Sequence, residues 1–110
     1  MSRLLARALL LSMITAAAQA ADIFAVTPAL WDRPRSARSV LDEPAVRQAI
    51  GVHLSRPDSQ LLIHHGSGQD PFLQAEELRN WLMALAIEGA RIRLINEAGP
   101  NESLTIEVTK

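Results

Sequence analysis

The chain contains no cysteine. This rules out disulfides, thiol chemistry and a lipid-anchoring cysteine, so a small domain of this sequence must be held by its core. It has no basic excess either: eleven Lys and Arg stand against twelve Asp and Glu, a formal net charge of −1 at pH 7. Such a balance offers no electrostatic footprint for nucleic acid and no polybasic patch for an anionic membrane. No apolar run reaches the ~20 residues that a spanning helix requires. There is no internal repeat and no low-complexity segment. Aromatic residues make up only 4% of the chain, so Trp31 and Trp81 are the large side chains to place. Both are expected in the core, with Trp31, beside a proline-containing loop, the alternative anchor for a partner.

What is present begins with an amino-terminal leader pattern. Met1 to Arg7 carries Arg3 and Arg7 and no acid, Ala8 to Ala18 is almost entirely apolar, and Ala18-Gln19-Ala20 supplies small residues where a signal peptidase reads them. This three-part layout predicts a secretory signal over 1–20, cleaved after Ala20. The competing reading is a retained anchor, for which the apolar core is short. Removing Arg3 and Arg7 leaves nine basic residues against twelve acidic ones, a net charge of −3. The remaining 21–110 is expected to form one domain, with its core over about 31–109.

Within that domain, Ala21 to Val26 reads as a short strand. Thr27-Pro28 interrupts it and Ala29-Leu30-Trp31 resumes it, so this region is expected at an edge. Asp32 to Arg38 is a solvated loop carrying Arg33, Arg35 and Arg38, the one local excess of positive charge. Asp42-Glu43-Pro44 starts a helix with a cap candidate and an early proline. Val46, Ala49, Ile50, His53 and Leu54 form its apolar stripe, Gly51 suits close packing on a sheet, and Arg56-Pro57 ends it.

Gln60 to His65 is a second strand, whose continuous Leu61-Leu62-Ile63 run suits cover on both faces. After Gly66-Ser67-Gly68-Gln69, Asp70-Pro71 caps a second helix with Ala75, Leu78, Trp81, Leu82 and Leu85 inward. Glu76 and Arg79 are spaced to pair, and Gly89 is the expected left-handed terminator. Arg91 to Ile95 is a third strand, parallel to the second. Gly99-Pro100-Asn101 is a turn. Leu104 to Thr109 alternates strictly, which predicts an edge strand with one wet face. The fold class is therefore α/β, an α+β sandwich of order β-α-β-α-β-β, with two helices on a small mixed sheet.

The candidate site is the loop Gly66, Ser67, Gly68 and Asp70, with Arg79 as a neighbouring base. It lies at the carboxyl end of a parallel strand, where open sheets bind ligands, and before a helix N-terminus that favours an anion. Its glycines have two readings, close backbone approach by a ligand or turn dihedrals that need glycine. Ser67 between glycines has the look of a nucleophile elbow, but the glycine spacing differs and no triad assembles. His64 and His65, adjacent on a strand, point to opposite faces and cannot chelate one ion. No catalytic residue, metal or cofactor is expected.

One resemblance joins these features. The leader, the element order and the segment Trp81-Leu82, Ala86-Ile87 and Ala90-Arg91-Ile92 are similar to the periplasmic OmpA C-terminal-like, peptidoglycan-associated family. Leu61 to Gly66 occupies the place of that family's strand before its ligand loop. The family binds a peptidoglycan carboxylate through a loop aspartate and a helix arginine. Those positions fall near Gly68 and Gln74 here, so the pair is not matched. The resemblance implies a non-catalytic periplasmic module of the cell envelope, near the outer membrane, whose partner is peptidoglycan or an envelope protein. The arginine loop would then help to replace the missing base. An accessory docking subunit of an envelope or secretion assembly, using the Leu104 to Thr109 edge, is the alternative; a small serine hydrolase using Ser67 is a remote one. When the full chain is expressed in a bacterium, amino-terminal sequencing of the accumulated product is expected to start at Ala21; an uncleaved Met1 product would contradict the leader assignment.

Overall fold

The computed structural model describes residues 22–97 and 103–109. The predicted leader over 1–20 and the Gly99-Pro100-Asn101 turn lie outside these residues. The described residues form a compact α+β domain with three helices and a four-stranded mixed sheet.

The strands are β1 (Asp22–Ala25), β2 (Leu61–His65), β3 (Ile92–Asn96) and β4 (Thr105–Val108), in the order β1-β4-β2-β3. β2 and β3 are parallel, whereas β4 runs antiparallel to both β1 and β2. The last strand is thus central, not an edge. Its strict alternation records one bare face, because period two reports what covers a strand's faces and not how many neighbours it has. The edges are β1 and β3.

The register places Phe24, Ile106, Ile63 and Leu94 across one face, with Val108, Leu61 and Ile92 in the next row. All the strand residues in the buried core belong to this face. The other face carries Ile23, Leu62, His64, Arg93, Ile95, Thr105 and Glu107, none of them buried. Cover of β2 on both faces is therefore corrected: Leu61 and Ile63 are buried, while Leu62 is only half-buried. An apolar run of three is too short to distinguish the two cases.

The helices are α1 (Ala37–Leu41), α2 (Pro44–Ser55) and α3 (Gln69–Ala84). α2 packs on β1 and β4, and α3 on β2 and β3. Val46, Ala49 and His53 of α2 are buried as the spacing requires, but Leu54 is 69% exposed. Gly51 faces open space, with nothing within 4 Å of a Cβ placed there, so it serves no close approach to the sheet. Glu43 rather than Asp42 is the N-cap of α2, and its buried carboxylate accepts the Thr27 amide at 2.8 Å instead of capping its own helix.

Two more local expectations are corrected. Pro28 does not interrupt a strand that resumes; it opens a 3₁₀ turn, Pro28–Asp32, that buries Leu30. Proline at a first helical position has its φ pre-set and loses no bonded donor. Part of the basic loop is helical, because Ser36 and Ser39 form a reciprocal capping box that starts α1.

The left-handed terminator of α3 is Ala86, just past its C-cap Leu85, not Gly89. Ala86 has φ 80°, and no described glycine has a positive φ. The Ile87 amide bonds to the Leu82 carbonyl and the Ala86 amide to the Met83 carbonyl, both at 3.0 Å. This is a Schellman motif, closed by the buried Ile87. A left-handed alanine costs roughly 1–2 kcal/mol, which glycine avoids. Ala86→Gly is therefore expected to raise stability by roughly 0.5–1 kcal/mol after glycine's larger unfolded-state entropy is subtracted. Leu78→Ala is expected to cost about 2–5 kcal/mol, and Leu54→Ala less than about 0.5 kcal/mol. Urea unfolding of the three variants checks the ranking.

Candidate functional site

β1 and β2 both run antiparallel to β4, so the carboxyl ends of β1 and β2 and the start of β4 share one end of the sheet. The row Ala25, Thr105, His64 and Ile95 is the last fully paired one. Beyond it only His65 and Asn96 are still paired, while β1 gives way at Val26 and β4 is entered from Leu104. At this end the 3₁₀ turn, the first turns of α3 and the entry to β4 enclose an open cleft of about 280 Å³. Val26, Pro28, Leu104 and Trp31 supply apolar wall, and Asp32, Gln74 and Ser103 supply polar groups.

Trp31, in the wall of the cleft, is held by a contact between residues far apart in sequence. The Arg35 guanidinium donates two bonds to the Glu77 carboxylate, Nε to Oε2 at 2.8 Å and Nη2 to Oε1 at 2.9 Å. Its Nη1 donates to the carbonyls of Arg33, at 2.8 Å, and Trp31, at 3.2 Å. The guanidinium carbon also lies 5.3 Å from the Trp31 ring centroid, within cation–π range. The Trp81 indole N–H donates to Glu77 Oε2 at 3.0 Å. The planar fork of an arginine suits such a bidentate pair. Hydrogen bonding from Arg35 holds the Glu77 carboxyl below its ordinary range, against a smaller opposing effect of burial. The same bond raises Arg35. Arg35 is thus occupied within the fold, while Arg33 and Arg38 line a second open depression with Asp42 and Glu43.

The predicted loop residues occupy the expected end of the sheet. Gly66 is buried at the end of β2, while Ser67, Gly68 and Asp70 are exposed. Gly68 is the N-cap of α3, with no side-chain cap, and Asp70 lies inside the first turn rather than capping it. Because no described glycine has a positive φ, turn dihedrals do not account for Gly66 and Gly68. Asp70 and Gln74, four apart, share one face of α3 and link the loop to the cleft. Arg79 is separate. It lies nine residues beyond Asp70, about 13 Å along the helix at 1.5 Å per residue. Its guanidinium donates to the Gly89 carbonyl at 3.3 Å rather than pairing with Glu76.

The histidines are engaged elsewhere. His53 and Ser59 share a buried hydrogen bond of 2.8 Å between α2 and β2. His65 Nδ1 bonds the Gly66 carbonyl at 2.8 Å, and its ring meets Phe72 edge-on at 5.7 Å. His64 contacts two glutamates on the bare sheet face. Neither His64 nor His65 bonds Ser67. Among the described residues, no group of three His, Asp or Glu is placed to hold a metal ion. No helix there is long and apolar enough to cross a membrane. Sequence reasoning missed Asp32 and Ser103 as cleft residues. It placed the former in a loop and the latter at the edge of a turn, and no local pattern brings them together.

No protein-family model, curated protein or solved structure matches the chain.

The Glu77 carboxylate contributes stability that is full above its unfolded-state value and is lost as pH falls through its lower folded-state value. The melting temperature of the wild type is therefore expected to exceed that of Glu77→Gln at neutral pH, with the gap closing on acidification. Both tryptophans adjoin this cluster, so fluorescence-detected melts read it directly. A gap that does not change with pH would mean that the ionised pair contributes nothing.

Proposed function

We propose that this chain is a non-catalytic binding module of the bacterial cell envelope, with an OmpA C-terminal-like fold, exported to the periplasm. The observation that carries the reading is the cleft at the carboxyl end of the sheet, beside the Gly66 to Asp70 loop. That end is where open α/β sheets place their ligands. The order β-α-β-α-β-β, with one small helix added, agrees with the resemblance in the central stretch.

The polar groups of the cleft define the kind of contact it makes. Asp32 is its one charged side chain, and Gln74 and Ser103 are neutral. Trp31 offers a flat apolar wall held by Arg35. This set suits amide, amine and sugar-ring groups of a peptidoglycan fragment. It does not suit a carboxylate clamp, which needs a free arginine. Arg35 cannot serve as that base while it is held by Glu77, and Arg33 and Arg38 face a different depression.

A second reading has its own observation. The bare sheet face, with Ile23 56% exposed and Leu62 and Ile95 half-buried, favours a docking subunit of an envelope assembly. Any strand addition would use β1 or β3, since β4 has neighbours on both sides.

Co-sedimentation of the purified protein with isolated peptidoglycan tests the first reading. Saturable binding is expected, weakened about tenfold, or 1.4 kcal/mol, by Trp31→Ala or Gln74→Ala. Arg79→Ala is expected to bind as the wild type does. Absence of saturable binding sinks the peptidoglycan reading.

A further inference from the structure

His64 lies on the bare face of the sheet, with its ring held between two carboxylates. Its Nδ1 is 2.7 Å from Glu97 Oε2, and its Nε2 is 2.8 Å from Glu107 Oε1. A neutral imidazole has one N–H and one lone pair, whereas the imidazolium has two N–H groups. Two ionised carboxylates at hydrogen-bond distance can both be satisfied only by the doubly protonated ring. We propose that His64 is a proton-dependent clasp that ties the end of β3 to β2 and β4. This inference does not rest on the binding reading.

The two contacts differ in what happens when the proton leaves. Glu107 sits in the central strand, and its side chain is 24% exposed. Glu97 follows the end of β3, and its side chain is 60% exposed. The neutral ring keeps its one N–H on the better-fixed Glu107, and its lone pair then faces Glu97. That carboxylate turns to water, at little desolvation cost. The Glu97 amide stays bonded to the His65 carbonyl at 2.8 Å, so the strands remain paired. What changes is charge: an uncompensated carboxylate appears beside the Gly66 to Asp70 loop. The tie exists while the ring carries both protons and is lost when one of them leaves.

The surroundings of the ring are simple. β3 adds Arg93 to this face, opposite Leu62 and exposed. β4 adds Thr105 and Glu107, β1 adds only Ile23 and Ala25, and His65 points to the other face. Among the described residues, Glu97 and Glu107 are therefore the acids that face the ring, with Arg93 the nearby base.

The test is carboxyl-carbon and imidazole NMR of the whole protein across a pH series. The Glu97 carboxyl signal is expected to move in step with the His64 ring, and to lose that movement in His64→Gln. Glu97→Gln, at an exposed side chain, is expected to keep the coupled movement at Glu107. A Glu97 signal that stays still while His64 titrates, or that moves unchanged in His64→Gln, overturns the clasp.

Discussion

The carboxylate of Glu77 accepts three hydrogen bonds, two from Arg35 and one from the Trp81 indole. Through Arg35 it also fixes two carbonyls of the preceding segment and the face of Trp31. The segment from Pro28 to Ser36, after β1, has no strand pairing, and its own 3₁₀ turn supplies few bonds. Its position on α3 therefore depends on side chains. An exposed ion pair would do this poorly, since solvent screens it and two long side chains lose entropy. Here the pair is bidentate and backed by an indole N–H, and its side chains are 26% and 34% exposed. Geometry rather than charge count makes it effective, and through Arg35 it holds Trp31, one wall of the candidate cleft.

The second constraint is that the helices cover only one face of the sheet. Burial on that face joins Leu61, Ile63, Ile92, Ile106 and Val108 to Ala49, Leu78 and Leu82 in one core. The opposite face must then satisfy its polar groups in the plane of the sheet. His64 does so by bridging neighbouring strands, and Glu107 reaches it from the adjacent strand. On the covered face, Arg56 at the end of α2 donates to Asp22 of the edge strand β1 at 2.5 Å. The bare face thus carries the cross-strand His64 bridge among half-buried Leu62 and Ile95, as expected where water has access.

How much of this was legible depends on the range of the interaction. Helical spacing found α2 and α3, because Val46, Ala49, Ala75, Leu78 and Leu82 repeat at the period of a covered stripe. The β2–loop–α3–β3 unit was legible for the same reason. Period two in Thr105 to Val108 correctly reported one wet face and said nothing of strand order, so a central strand was taken for an edge. The Ala86 cap was hidden because alanine is an unusual choice for the left-handed position, and Gly89 lay close by. Ser36 and Ser39 lacked the acidic partner that marks a common capping box. The loop end of the candidate site could be read locally. Its cleft could not, because Arg35 and Glu77 are 42 residues apart and neither has a local pattern that points to the other.

The proposal of binding without catalysis is supported by the employment of the histidines. A general base needs a lone pair aimed at the group it deprotonates. The chain has three histidines. His53 is bonded to Ser59, a serine with no exposed surface, so that pair meets no substrate without local unfolding. His64 has both ring nitrogens on carboxylates, and His65 spends one on the carbonyl beside it. Ser67 is exposed in the loop but has no bond to any of them. The open cleft, by contrast, brings together an aromatic wall, one carboxylate and two neutral polar groups. Such a set can orient a polar ligand.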